Sequence, residues 1–166
     1  MSKNTFALIT VASLAFLSAC SSTKLSETGP ATTDAAPKAV SSVAPVVADH
    51  LNPNSLISTQ RSVYFDFDKF DIKSEYSALI ERQGKYLAAK PALAIRVEGN
   101  ADERGGREYN LALGQKRAEA VRRALGLLGV SDAQMEAVSF GKEKPVAQGS
   151  DESAYSQNRR AALNYQ

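Results

Sequence analysis

The sequence predicts an α/β sandwich, a small mixed sheet with helices packed on it, over residues 59–166, behind an export segment over 1–19 and a flexible tether over 20–58. Three observations predict it. Short stretches of two-residue apolar alternation take turns with stretches of helical period, the pattern of a layered α/β domain. The first 19 residues have the charge and hydropathy order of an export signal. Between them lies a Ser-, Thr-, Ala-, Pro- and Val-rich stretch with neither period.

The folded part begins with Val63, Phe65 and Phe67 alternating with Tyr64, Asp66 and Asp68, a strand with one apolar face. Asp71 is placed to N-cap a helix whose apolar positions are Ile72, Tyr76, Leu79, Ile80 and Leu87, and Pro91 closes it. Ile95 and Val97 alternate with Arg96 and Glu98 in a second strand ending at Gly99. After Gly105-Gly106 comes the longest helix, with Leu111, Gly114, Ala118, Val121, Leu125 and Leu128 along one stripe and Gly129 as its stop. A third strand spans about 137–140, a weaker helix 151–158, and a short last strand 161–165.

At the amino terminus Lys3 supplies positive charge and Phe6 to Leu17 an apolar run of about a dozen residues, short of the ~20 that span a bilayer. Leu17-Ser18-Ala19-Cys20 resembles a bacterial lipobox, which implies that Cys20 becomes the lipidated first residue. Ser21 stands where many inner-membrane lipoproteins have aspartate, so the resemblance implies an outer-membrane address. Pro30, Pro37, Pro45 and Pro53 punctuate the segment that follows, which is too poor in apolar surface to offset its ordering entropy. As a tether it has a contour above ~100 Å and a relaxed span of roughly 35 Å.

Composition narrows the function. A net charge of +2 with no basic run, no tryptophan and 7% aromatic residues argues against nucleic acid as a partner. One cysteine excludes an intrachain disulfide and a thiolate cluster, and the lone His50, expected to be solvated, forms no zinc-ligand spacing. No metal or cofactor is expected. In the charged turn 98–105 Asp102 follows a strand end, and Arg117 lies on the shoulder of the long helix. Arg117 is therefore expected to bury its stem and leave its guanidinium free at the edge of a cleft shared with Asp102. Such a pair suits a zwitterion, the carboxylate taking an ammonium and the guanidinium fork a carboxylate. Spacing alone favours a structural role over that one, with the two residues pairing with each other or capping the fold. A hydrolase using Asp102 with Glu98 or Glu103 is the enzymatic alternative.

Longer words then carry a resemblance: Val63-Tyr64-Phe65-Asp66-Phe67-Asp68-Lys69, Ala101-Asp102-Glu103-Arg104-Gly105, Glu108-Tyr109-Asn110, Gly114-Gln115-Lys116-Arg117-Ala118, Ser139-Phe140-Gly141-Lys142-Glu143-Lys144-Pro145 and Asn158-Arg159-Arg160-Ala161. From Val63 to Tyr165 the chain resembles the OmpA-like peptidoglycan-binding domain family, in its lipoprotein branch. The resemblance implies an outer-membrane lipoprotein, not an enzyme, that grips peptidoglycan non-covalently and ties membrane to wall. It implies that Asp102 and Arg117 hold the two ends of diaminopimelate in the stem peptide, and that Asn110, Asp68, Asn158, Arg159 and Arg160 line the same pocket. It also implies a TolB-like periplasmic propeller protein as a second partner, in the Tol machinery of envelope constriction. One departure is Asn100, where many members carry histidine. Asp102→Asn and Arg117→Ala are expected to leave the fold intact and to weaken retention on the wall.

Overall fold

Extended backbone lasts only from Ser62 to Tyr64 in the first strand, β1, shorter than the alternation over 63–68 suggests. Beyond it the chain turns at 66–69, where the Lys69 N–H donates to the Asp66 carbonyl at 3.1 Å and Asp68 takes a left-handed conformation with φ 57°, which aspartate tolerates better than most side chains. Phe65 stays in register through its N–H, which donates to the Arg159 carbonyl at 2.9 Å. The computed structural model describes residues 47–166; Cys20, the export segment and most of the expected tether lie outside the described residues.

In chain order the elements are α1 (Leu56–Thr59), β1, α2 (Ser77–Ala88), β2 (Ile95–Asn100), α3 (Arg107–Gly126), β3 (Met135–Gly141), α4 (Glu152–Asn158) and β4 (Arg160–Tyr165). The sheet order is β1-β4-β2-β3. β4 is antiparallel to both β1 and β2, while β2 and β3 run parallel, joined by the crossover helix α3. The mixed sheet with helices packed on it is the expected α/β sandwich. Val63, Ile95, Val97, Ala161 and Leu163 of the strands meet Leu79, Ile80, Leu87, Val121 and Leu125 of α2 and α3 in one core.

Three expectations change. The second helix does not start at an Asp71 cap: a single 3-10 turn, Ser74–Tyr76, precedes α2, and neither has a side-chain cap. Ile72 and Tyr76 pack on the core from that loop and turn, so tertiary burial rather than helical repetition explains their apolar character. The ordered domain also begins before residue 59. Ser55 accepts from the Ile57 N–H and caps α1, and Ile57 is buried. Gln83 Nε2 donates to the Ile57 and Gln60 carbonyls at 3.0 and 2.7 Å. His50 is not merely solvated: it stacks on Tyr165 with ring centroids 5.1 Å apart, and its Nδ1 lies 2.8 Å from the Tyr86 hydroxyl.

β2 and α3 approach too closely for side chains between them. A Cβ at Gly99 would lie 1.8 Å from the Gly114 carbonyl oxygen, and one at Gly114 would lie 2.3 Å from Ser139 Oγ. That contact pulls the first turns of α3 over the C-terminal end of β2. There the loop 101–106 leaves the sheet and the chemistry of the molecule gathers.

Candidate functional site

A cavity of about 150 Å³ opens where the loop after β1, the loop after β2 and the first three turns of α3 converge. Phe67 and Asp68 line it from the first loop, Ala101, Asp102, Arg104 and Gly105 from the second, Tyr109, Asn110, Leu113 and Arg117 from α3, and Arg159 from the α4–β4 junction. Five of the seven residues expected at the site therefore meet: Asp68, Asp102, Asn110, Arg117 and Arg159. Asn158 and Arg160 do not line it. Asn158 accepts from the Val146 and Ala147 N–H groups at 2.8 and 3.1 Å and donates to the Ala147 carbonyl, clamping the loop after β3. Arg160 is turned to the Lys144 carbonyl at 3.2 Å, and burial pulls its pKa down.

Arg117 differs most from expectation. It has no exposed surface at all. Its Nε donates to the Lys69 carbonyl at 2.8 Å, Nη1 to the Asn100 carbonyl at 2.8 Å and Nη2 to the Asp66 carbonyl at 3.2 Å. The guanidinium is thus a crosspiece between the β1 loop, the end of β2 and α3. Its position one residue off the apolar stripe buries the stem as expected, but the two loops close over the head. Burial first, then repulsion from Arg159, pulls its pKa down to about 10, so it stays charged at neutral pH. Three of its five N–H donors are used, leaving one on each Nη. Asn100 meets this residue through its main chain, and its own amide turns back to the Glu98 carbonyl.

Asp102 is buried beside two arginines, with Arg104 Nη2 at 2.5 Å and Arg159 Nη1 at 3.4 Å from its Oδ2. Its Oδ1 accepts from the Arg104 N–H at 3.1 Å, a turn in which the carboxylate folds back on its own loop. Burial works to raise its pKa, but the hydrogen bonds from Arg104 and Arg159 outweigh it and hold the carboxyl below its usual range. Asp68 accepts a hydrogen bond from the Tyr109 hydroxyl, and Asn110 Nδ2 donates to the Arg104 carbonyl at 2.8 Å, pinning the loop after β2 to α3.

Arg104 is the residue that sequence reasoning passed over. Its guanidinium lies between the rings of Phe67 and Tyr155, 4.1 and 4.3 Å from their centroids. Those rings stand about forty and fifty residues away in the chain, so only the fold shows the sandwich. The local signal available was the Asp-x-Arg spacing that lets Asp102 hold Arg104.

The enzymatic alternative loses its chemistry here. Glu98 lies 3.8 Å from Lys144 Nζ, and Glu103 accepts from Tyr155 at 2.9 Å with its pKa lowered by hydrogen bonds from Ser150 and Tyr155. A two-carboxylate hydrolase needs one carboxyl held protonated. Asp102 and Glu103 are both shifted the other way.

Comparison with known proteins agrees. The model of the OmpA family matches residues 64–159. The peptidoglycan-associated lipoprotein of Pasteurella multocida is 41% identical over 165 residues, 99% of this chain and 100% of the relative. That of Haemophilus influenzae is 53% identical over 104 residues, 63% of this chain and 68% of the relative. The crystal structure of the peptidoglycan-associated lipoprotein from Burkholderia pseudomallei superposes with a TM-score of 0.70 at 60% identity, covering 72% of this chain and 100% of that one. The C-terminal domain of Helicobacter pylori MotB, at 23% identity and TM-score 0.59, shares the fold. Layered sheet, charged cavity and end-to-end similarity converge, and the chain belongs to the OmpA family, among its peptidoglycan-associated lipoproteins.

Proposed function

We propose that this protein is an outer-membrane lipoprotein whose domain binds peptidoglycan non-covalently by taking the diaminopimelate of the stem peptide into the cavity around Asp102 and Arg117. The observation that carries the reading is a small cavity holding opposite charges: two carboxylates, Asp68 and Asp102, against three guanidiniums, Arg104, Arg117 and Arg159. Diaminopimelate offers an ammonium and a carboxylate on one side chain. Asp102, ionised at neutral pH, accepts the ammonium, and Arg117, which lines the cavity with one donor unused on each Nη, is the partner for the carboxylate. The surplus of positive charge suits a stem peptide that carries further carboxylates. The buried crosspiece made by Arg117 means that its donors are already in place before a ligand arrives, so little ordering entropy remains to be lost on binding.

Cys20 carries the lipid in this reading, and the segment behind it carries the domain to the wall. Each charge-assisted hydrogen bond contributes about 1.5–3 kcal/mol, so one site grips modestly and reversibly. Many copies tethered beside a lattice of repeated stem peptides act together. The similarity to peptidoglycan-associated lipoproteins over the whole chain supports this reading and supports a place in the Tol-Pal system with a TolB-like periplasmic partner. The test is co-sedimentation of the purified full chain with isolated wall sacculi, competed by free stem tripeptide. Retention that the tripeptide abolishes, with no soluble wall fragments released, is expected. Retention untouched by tripeptide and by Asp102→Asn overturns the site.

A further inference from the structure

Past the bridge between Asp68 and Tyr109, an aromatic ledge continues from Tyr109 on the cavity wall to Phe70, which does not line the cavity. Tyr109 and Phe70 are 54% and 36% exposed, and Lys116 Nζ sits 5.3 Å from the Phe70 ring centroid. Tyr109 and Lys116 are seven residues apart on α3, hence on one face, two turns or roughly 10 Å apart. The loop after β1 runs beside them in the same direction. Asp68 meets Tyr109 at one end, while at the other the Lys69 carbonyl accepts from Arg117 and Phe70 carries Lys116. The ledge is therefore continuous with the cavity wall and points away from it along the helix. Exposed rings held in a row beside a binding pocket are the kind of apolar surface that monomeric proteins leave open for a partner.

Resting on the reading of the cavity given above, we propose that the Phe70–Lys116 ledge binds the glycan of the wall, taking the N-acetylated sugar that carries the stem peptide held in the cavity. The occupant follows from reach and chemistry. In a stem peptide two residues separate the sugar's lactyl ether from diaminopimelate, which at ~3.3 Å per residue plus the side-chain linkage spans roughly 10 Å. That is about the two-turn separation along α3 between Tyr109, on the cavity wall, and Lys116, which sits over Phe70. A pyranose presents a face of C–H groups to an aromatic ring, and its acetyl methyl adds apolar area. Lys116, released from the ring, supplies donors for the lactyl carbonyl and sugar hydroxyls. Phe70 and Lys116 themselves offer no carboxylate to a second ammonium, so a neighbouring diaminopimelate is a poorer occupant of their end of the ledge.

The experiment measures affinity of the full chain for two probes, the stem tripeptide alone and the same tripeptide on its disaccharide. The sugar-bearing probe is expected to bind about fivefold tighter or more. Phe70→Ala removes that increment and leaves the tripeptide affinity within twofold, whereas Phe70→Tyr, which keeps a ring, retains it. Equal affinity for the two probes, or an equal loss of both in Phe70→Ala with the melting temperature unchanged, overturns the ledge. If Asp102→Asn abolishes binding of the tripeptide while the sugar adds nothing, the ledge alone fails. If neither probe binds the parent chain, the cavity reading fails and the ledge with it.

Discussion

Arg117 shows how one side chain can hold a fold and, in the reading proposed here, a ligand. Replacing it with alanine removes the donors of the Lys69, Asn100 and Asp66 carbonyls, of which the bond to Asn100 is fully buried. An unsatisfied buried acceptor costs ~1–3 kcal/mol. Arg117→Ala is therefore expected to destabilise the domain by at least about 1–3 kcal/mol, seen as a lowered midpoint in urea, and not to leave the fold intact as its helical position alone suggests. Arg117→Lys recovers little of that loss because an ammonium lacks the planar fork that reaches three carbonyls. Asp102→Asn is the cleaner probe of binding. It keeps the shape and removes the charge, and wall retention should fall at least about tenfold, the worth of one charge-assisted hydrogen bond.

The same carboxylate sets a pH window. Folding holds the Asp102 pKa below its ordinary 3.8, so the unfolded chain binds that proton more tightly. The stabilisation is complete above 3.8 and is lost as pH falls through the lower folded value. The stability difference between parent and Asp102→Asn should stay flat from neutrality to about pH 5 and shrink only in stronger acid. A difference that closes near pH 6 assigns the titration to another group.

Among elements, the contact between β2 and α3 decides where the cavity sits. Gly99 and Gly114 let the helix backbone rest on the strand, and Ser139 of β3 fills the remaining space. Gly99→Ala is expected to cost about 3 kcal/mol or more, since the nearest obstacle is main chain and cannot rotate aside. Denaturation of the variant measures it, and weakened wall binding should accompany the loss because the shift carries Asn110 and Arg117 with α3. α4 contributes differently. Asp151 caps it by accepting from Ala154 N at 2.8 Å, which places Glu152 2.5 Å from Arg159 Nη2 and keeps that arginine aimed at Asp102. Ahead of the sheet, His50, Tyr86 and Tyr165 hold the 47–55 segment against the domain, with Arg61 over the Tyr165 ring at 5.0 Å.

For the whole molecule, the reading needs an anchor, a reach and a grip. Each acyl methylene buried in a bilayer contributes ~0.8 kcal/mol, and one chain alone holds only marginally. Cys20→Ala is expected to move the protein from the membrane to the soluble fraction of a cell lysate while leaving the isolated chain's affinity for stem peptide unchanged. An acylated protein after that substitution rejects Cys20 as the anchor. His50 and Ile57 hold the end of the expected tether against the domain, so the reach proposed for it is shorter than residues 20–58 suggest.

What the sequence determined by itself is what repeats or lies close in the chain. Two-residue alternation placed β2, the apolar stripe placed α3, and the ranges expected for the last two strands and the weak helix match β3, β4 and α4 to within a few residues. Through the resemblance they carry, the contiguous Ala-Asp-Glu-Arg-Gly and Lys-Arg-Ala words pointed to Asp102 and Arg117, which the structure brings to the wall of one cavity. Tertiary structure alone decided the rest, because the deciding contacts join distant positions. Arg104 finds its place only when Phe67 and Tyr155 close on either side of it. Asn158 and Arg160 sit beside Arg159 in sequence yet face the loop after β3, since the last helix ends and the strand begins between them. Arg117 is buried, and not free at an edge, because two loops separated from it by many residues bring their unpaired carbonyls to its head. No local pattern records a demand for hydrogen bonds that arises only when the chain has folded.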